Sequence, residues 1–255
     1  MRYLTLTAAA CVGLVMALTG AAPAGAGELK QVLVDDFDGD NLGDHWEVLH
    51  PDPDLFIVEN GGLLILAPGS SPTLGGGEVA NIFRLTTPLP KGDWVMKATY
   101  NVEFQTTSEA PFLGLYADDK NFLVVQPRAF VCGNWSNRLC VTIEVVKLAS
   151  GKPTTFSKAL IHEMGFENFV FDQAAKTIAQ PLTLRIVKVG RKYTGGILWR
   201  SVDPETKKMT ETWVDLPKLT ILRQNGQPAV GMYQVRTSQG ESVAILDKLT
   251  IEAVE

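Results

Sequence analysis

Very little in this 255-residue chain announces chemistry: it has three cysteines, three histidines and no surplus of positive charge. Beyond the first 26 residues there is no stretch of about eighteen consecutive apolar residues, which excludes a membrane-spanning helix by length. Helical patterning is scarce, and its best candidate, residues 166–175, carries too many Phe and Val to be a good helix. His162-Glu163-Met164-Gly165-Phe166 begins like a zinc-protease helix, but Phe166 stands where the second His is required, so a surface His beside a surface Glu is the better reading. No serine lies in a nucleophile-elbow sequence, and Gly75-Gly76-Gly77 lacks the strand and helix of a phosphate-binding loop.

What is present begins with a leader. Arg2 supplies a positive start, residues 8–18 a short apolar core and Ala24-Gly25-Ala26 a small-residue cleavage site, so residues 1–26 read as a secretory signal peptide. The product is expected to be secreted or periplasmic, without membrane insertion. Residues 27–255, 229 in all, are expected to form a single domain. Loss of Arg2 leaves 22 basic against 28 acidic residues, a charge of −6, which argues against nucleic acid and anionic membrane surfaces as partners.

The periodicity is that of strands. From Trp94 to Phe104 the even positions are apolar, with Lys97, Thr99, Asn101 and Glu103 between them, a long half-buried strand. Leu182, Leu184 and Ile186 alternate with Thr183, Arg185 and Val187, and the turn at Gly190-Arg191-Lys192 predicts a hairpin with residues 193–200. Residues 112–117 and 122–125 are apolar without alternation, as central strands covered on both faces would be, and Asp118-Asp119-Lys120-Asn121 joins them as a turn. Many short strands between turn signals predict an all-β, two-sheet antiparallel sandwich.

The densest signal is DDFDGDNLGDHWE, residues 35–47, with five Asp, one Glu and two Gly. Acids fall where an EF-hand loop places them, at Asp36, Asp38, Asp40, Asp44 and Glu47, but Asn41 replaces the turn glycine and a strand, not a helix, precedes. A calcium site of another geometry and an acidic turn in water are the two readings left. His45 and His50 in the same loop read as solvated. Asp247 stands among Val243, Ile245, Leu249 and Ile251 in what looks like a core register, and Asp36 follows Val32 and Val34 in the same way. If the first and last strands are neighbours, one cation shared by Asp36 and Asp247, with Asp38 as a further ligand, removes both anomalies; the alternative is that each acid caps a strand end in water or accepts backbone amides.

Cys11 lies in the leader, leaving Cys132 and Cys140 around a short polar loop that contains Trp135 and the acceptor sequence Asn134-Trp135-Ser136. In an oxidising compartment this pair is expected to form a disulfide, with metal binding as the alternative. A bridge over so short a loop contributes about 2 to 3 kcal/mol and fixes how the loop presents Trp135.

Three segments together resemble a known family. DDFDGDNLGDHWEVLHPDPDLFIVENGGLLI (residues 35–65), FLGLYADDKNFLVVQ (112–126), and AVGMYQV with VAILDKLTIE (from Ala229 and Val243) are similar to the concanavalin A-like lectin and glucanase jelly-roll superfamily, notably the C-terminal modules of β-xylosidases. The resemblance implies a jelly-roll sandwich, carbohydrate as the ligand class and a structural calcium joining the first and last strands, which Asp36 and Asp247 match by position. The glucanases of this superfamily carry E-x-D-x-x-E on one strand; this chain has no such segment, and Glu144 stands alone in residues 141–148.

The expected function is therefore a non-catalytic, lectin-like protein that binds a polysaccharide or glycan and holds structural calcium. Sugar rings stack on flat aromatics beside planar polar groups. Trp46 and Trp94 sit in apolar registers and read as core, while Trp135, Trp199 and Trp213 are the candidate platforms, each of which could instead pack under a loop. Arg128, near Gln126, and Arg200, beside Trp199, are the candidate cations. The alternatives are a polysaccharide-cleaving lyase or glycoside hydrolase on the same fold, with Arg128 or Arg200 neutralising a uronate, and a laminin-G-like protein-binding or envelope scaffold module. Nothing in the sequence sets an oligomeric state.

Overall fold

A computed structural model describes residues 28–69, 72–103, 109–131, 139–161, 181–203, 205–223, 225–234 and 241–254. The leader, Cys132, Trp135, His162 and the weak helical candidate at residues 166–175 lie outside them; Cys140 lies within a described strand. Every described element except one turn of 3-10 helix at Pro53–Leu55 is a strand.

Strands are numbered in chain order and form two antiparallel sheets. Sheet A runs β13 (Met209–Asp215), β12 (Lys192–Val202), β11 (Leu182–Val189), β6 (Trp94–Glu103), β16 (Glu241–Val254), β4 (Gly62–Pro68) and β3 (Phe56–Glu59), with β1 (Leu29–Asp35) on β16 and β14 (Leu219–Thr220) on β12. Sheet B runs β10 (Lys152–Ile161), β9 (Leu139–Ala149), β8 (Asn121–Val131), β7 (Glu109–Asp118), β15 (Gln227–Gln234), β5 (Ile82–Leu85) and β2 (Trp46–Leu49). Successive stretches of chain pass between the two sheets, and the first and last strands are adjacent, as expected.

Strand periodicity determines which side chains meet between the sheets. In β6 the even positions Trp94, Met96, Ala98 and Tyr100 are at most 1% exposed, while Lys97 ion-pairs with Glu252 on the outer face at 2.7 Å. In β11 Leu182, Leu184 and Ile186 point inward beside them. The β11–β12 hairpin closes at Val189 opposite Lys192, and Gly190 supplies the left-handed conformation (φ 59°) that this two-residue turn needs.

The central strands of sheet B are buried on both faces over much of their length. Leu113, Leu115, Leu123 and Val125 join the core between the sheets. Phe112, Tyr116, Phe122, Val124 and Tyr233 form a second apolar cluster on the outer face, against which Leu74 and Val79 of the 72–81 loop pack. That second layer explains why β7 and β8 read as continuous apolar runs.

Candidate functional site

The outer face of sheet B changes character along its strands. Near the β7–β8 turn it is apolar: Tyr116 stacks on Phe122 at 6.2 Å, and the Tyr116 hydroxyl donates to Asp119 Oδ1. Toward the other end the same face carries Gln126 and Arg128 from β8, Glu144 from β9 and Tyr233 from β15. In register, Gln126 faces Glu144, and Glu144 faces Ser157 of β10, so a polar row crosses three strands.

These groups form one hydrogen-bonded cluster. The Tyr233 hydroxyl donates to Gln126 Oε1 at 2.8 Å, which fixes the carboxamide so that its Nε2 faces Glu144 Oε2 at 3.4 Å. Thr142 Oγ1 lies 3.4 Å and Arg128 Nη1 3.5 Å from Glu144 Oε1. Gln126 and Tyr233 are 2% and 5% exposed, whereas the Arg128 side chain is 34% exposed, so the cluster opens to solvent at its charged end. All three contacts to Glu144 exceed the usual length of about 2.7–3.2 Å, leaving lone pairs for further donors. Burial pushes the Tyr233 phenol up to about 12, with the Gln126 bond acting in the opposite direction, so the hydroxyl is a neutral donor at ordinary pH.

The five residues expected to bind ligand do not converge. Arg128 belongs to the cluster just described. Trp199 faces inward and packs half-buried against the core. Trp213 and Arg200 lie on the outer face of sheet A: the Arg185 guanidinium sits 3.8 Å over the Trp213 ring and pairs with Asp215 at 2.7 Å, while Arg200 donates to Glu211 at 2.6 Å and to the Pro181 carbonyl. Trp135 lies outside the described residues, as does Cys132, and Cys140 stands opposite Phe130 in the β8–β9 ladder. No sequence motif marks Gln126, Glu144 or Tyr233 as a ligand.

The acidic entry departs from its expected register. A β-bulge between Gln31 and Leu33 shifts β1 by one residue, so Asp35 is the acid turned toward the protein and Asp36 is exposed. Asp35 accepts from the Phe37 amide at 2.9 Å, from His45 Nε2 at 2.7 Å and from the Trp46 indole at 2.6 Å. His45 is thus anchored to Asp35 while its side chain remains 38% exposed. Phe37, left-handed at φ 54°, turns into the core and stacks on Trp46 at 5.9 Å.

Asp247 is likewise not in a core register. A bulge between Leu246 and Lys248 switches the inward set from Ser242, Ala244 and Leu246 to Leu249 and Ile251, leaving Asp247 half-buried at the irregularity. The edge of β16 changes neighbour there: Leu246 pairs with Leu63 of β4, and Leu249 with Asp35 of β1. The bulge, the end of β1 and the Gly61-Gly62 turn therefore meet, and Asp38 Oδ1 lies close to Gly61. Burial raises the Asp247 carboxyl above its ordinary range, although Asn101 Nδ2 donates to it at 2.6 Å. Among the described residues no three His, Cys, Asp or Glu side chains group as a metal site, so a cation at this junction depends on main-chain carbonyls, which calcium accepts.

No protein-family model matches this chain, and no curated protein matches it. Solved structures do. The GH43 BlXynB protein from Bacillus licheniformis is 17% identical with a TM-score of 0.59, and the match covers 86% of this chain and 38% of that one. The catalytic domain of an endo-1,3-β-glucanase (laminarinase) from Thermotoga petrophila RKU-1 is 10% identical, TM-score 0.53, over 90% of this chain and 99% of the other. The CBM2 module of the evolved Dit of Lactobacillus casei BL23 phage J-1 gives 10% and 0.53 over 90% and 97%. The chain spans well under half the length of the GH43 proteins it matches. At these identities the likeness is one of fold alone: a two-sheet antiparallel jelly-roll β-sandwich.

Proposed function

We propose that this protein is a secreted or periplasmic, non-catalytic carbohydrate-binding sandwich whose glycan lies on the open, polar end of the outer face of sheet B. The observation that carries the reading is the Glu144 carboxylate, buried in a fixed cluster yet held, among the described residues, by contacts of 3.4–3.5 Å. Such a group accepts sugar hydroxyls, while the half-exposed Arg128 donates to their neighbours. Similar folds occur in glycoside hydrolases and in a CBM2 module, which supports a carbohydrate ligand. A glycan array followed by titration should find a polysaccharide that binds without release of reducing ends or unsaturated uronates. Failure to bind any glycan would refute the proposal.

A lyase is the second reading, favoured by the nearness of Tyr233, Gln126 and Arg128. It needs a base that removes a proton at neutral pH. A phenol raised to about 12 and already donating to Gln126 is poorly suited to that task, which is why binding is preferred.

The proposal includes calcium at the junction of Asp36, Asp38 and the Asp247 bulge. An ion bound only to the folded protein at about 100 times its Kd adds roughly 2.7 kcal/mol. Excess chelator should therefore lower the Tm by about 5–10 °C. Asp247→Asn should abolish that response. Identical melting curves with and without chelator, in a protein purified free of metal, would remove calcium from the account.

A further inference from the structure

One end of the sandwich holds a pocket of about 240 Å³, away from the cluster on sheet B. Its walls come from the loop before β6, the β11–β12 hairpin and the segment between β14 and β15. Trp94 and Tyr193 meet there edge to face, with centroids 6.0 Å apart and planes at 72°. Lys188, Asn225 and Gln227 supply the polar lining.

Two features of this pocket suit a ligand. Tyr193 is 4% exposed, and its hydroxyl has no hydrogen-bond partner among the described residues. Burial raises its phenol, with no bond acting in the opposite direction. The hydroxyl oxygen is not sealed from solvent, and Tyr193 lines the pocket, so a ligand there can take up its hydrogen bond. The second feature is charge. In a chain of net charge −5, the charged residue lining the pocket is Lys188, and the three segments that supply its walls (residues 89–94, 188–193 and 216–227) carry five further basic residues and one acid, Asp93. Asp93 is already engaged, accepting from the Gly190 amide at 2.7 Å. Lys188 Nζ donates to the Gly92 carbonyl at 2.5 Å, which fixes the ammonium and leaves two of its three protons to give.

We propose that this pocket binds a carboxylate-bearing sugar, a uronate unit at the end of a glycan chain. The edges of Trp94 and Tyr193 close the inner end of the pocket, the Tyr193 hydroxyl bonds a ring hydroxyl, and Lys188 with the Asn225 and Gln227 carboxamides receives the carboxylate. A bare anion would leave Tyr193 unused. A neutral sugar would leave the lysine unused.

The test is titration of the whole protein with D-glucuronate, D-glucose and acetate, followed at the Trp94 indole N–H by nuclear magnetic resonance. Glucuronate should produce a saturable shift, and glucose and acetate should each bind at least tenfold more weakly. Lys188→Gln should weaken glucuronate binding at least fivefold. Tyr193→Phe should weaken it about threefold or more, while leaving the Tm nearly unchanged, because it deletes a solvent-reached hydroxyl that has no partner among the described residues. Equal responses to glucuronate and glucose, equal responses to glucuronate and acetate, or undiminished affinity in both variants would each overturn the proposal. Because the readout is at Trp94, a protein that binds glucuronate here but no polysaccharide on sheet B supports this site while refuting the other.

Discussion

A Gly195→Val variant is expected to lose about 3 kcal/mol or more, the largest stability effect of any single substitution considered, because it would wedge the two sheets apart. Gly195 points inward from β12. A Cβ placed on it would lie 2.2 Å from Val145 Cγ2 and 3.2 Å from the Val125 side chain, both branched residues of sheet B. Overpacked cores respond with off-rotamer side chains and shifted backbone, and a sandwich closed at this point cannot move one strand without moving its neighbours. For a domain of this size the loss corresponds to a fall in Tm of about 6–12 °C. Gly196 is the internal control. It points outward, where Arg185 reaches over it to Asp215, and a Cβ there would lie 2.3 Å from Asp215 Oδ1. Gly196→Ala should therefore break mainly an exposed ion pair, at about 1 kcal/mol or less. Equal melting temperatures for the two variants would contradict the packing described for the sheets.

The second large effect concerns binding. Glu144→Ala is expected to weaken the best glycan by at least tenfold, since removing a charged hydrogen-bond acceptor costs about 1.5–3 kcal/mol and each tenfold is about 1.4. Its Tm should fall by only a few degrees, because its contacts are long and Arg128, the partner left behind, reaches solvent. Tyr233→Phe should behave in the opposite sense. It leaves Gln126 Oε1 buried without its 2.8 Å donor and should lower the Tm, while weakening the glycan less than Glu144→Ala does. If Glu144→Ala binds as tightly as the wild type, the cluster is structural and the glycan lies elsewhere.

The architecture was legible because its main signal is local. Alternation along β6 and β11 identified the inward residues one by one, the two apolar runs predicted strands covered on both faces, and Gly190 marked its hairpin. The core positions of Trp46 and Trp94 also followed from their registers, at 7% and 1% exposure. Two one-residue bulges defeated the same arithmetic. Each moves every later side chain to the other face, which exchanged Asp35 for Asp36 and placed Asp247 at an irregularity instead of in the core. The cluster on sheet B was hidden for a different reason: Gln126, Glu144 and Tyr233 come from three strands, and nothing in any one of them reveals the other two. The available signal was a Gln and a Glu inside strands otherwise apolar enough to be covered on both faces. Tryptophan count was a poor guide by comparison, since Trp199 packs on the core and Trp213 is capped by Arg185.

That a glycan lies on the outer face of sheet B can be read from a nuclear magnetic resonance titration of the wild type with its best glycan, resolving side-chain signals. Saturable shifts of the Gln126 carboxamide and the Tyr233 ring are expected, with the Trp213 indole N–H unmoved. A saturable shift at Trp213 with Gln126 and Tyr233 unchanged would place the ligand on sheet A and contradict it.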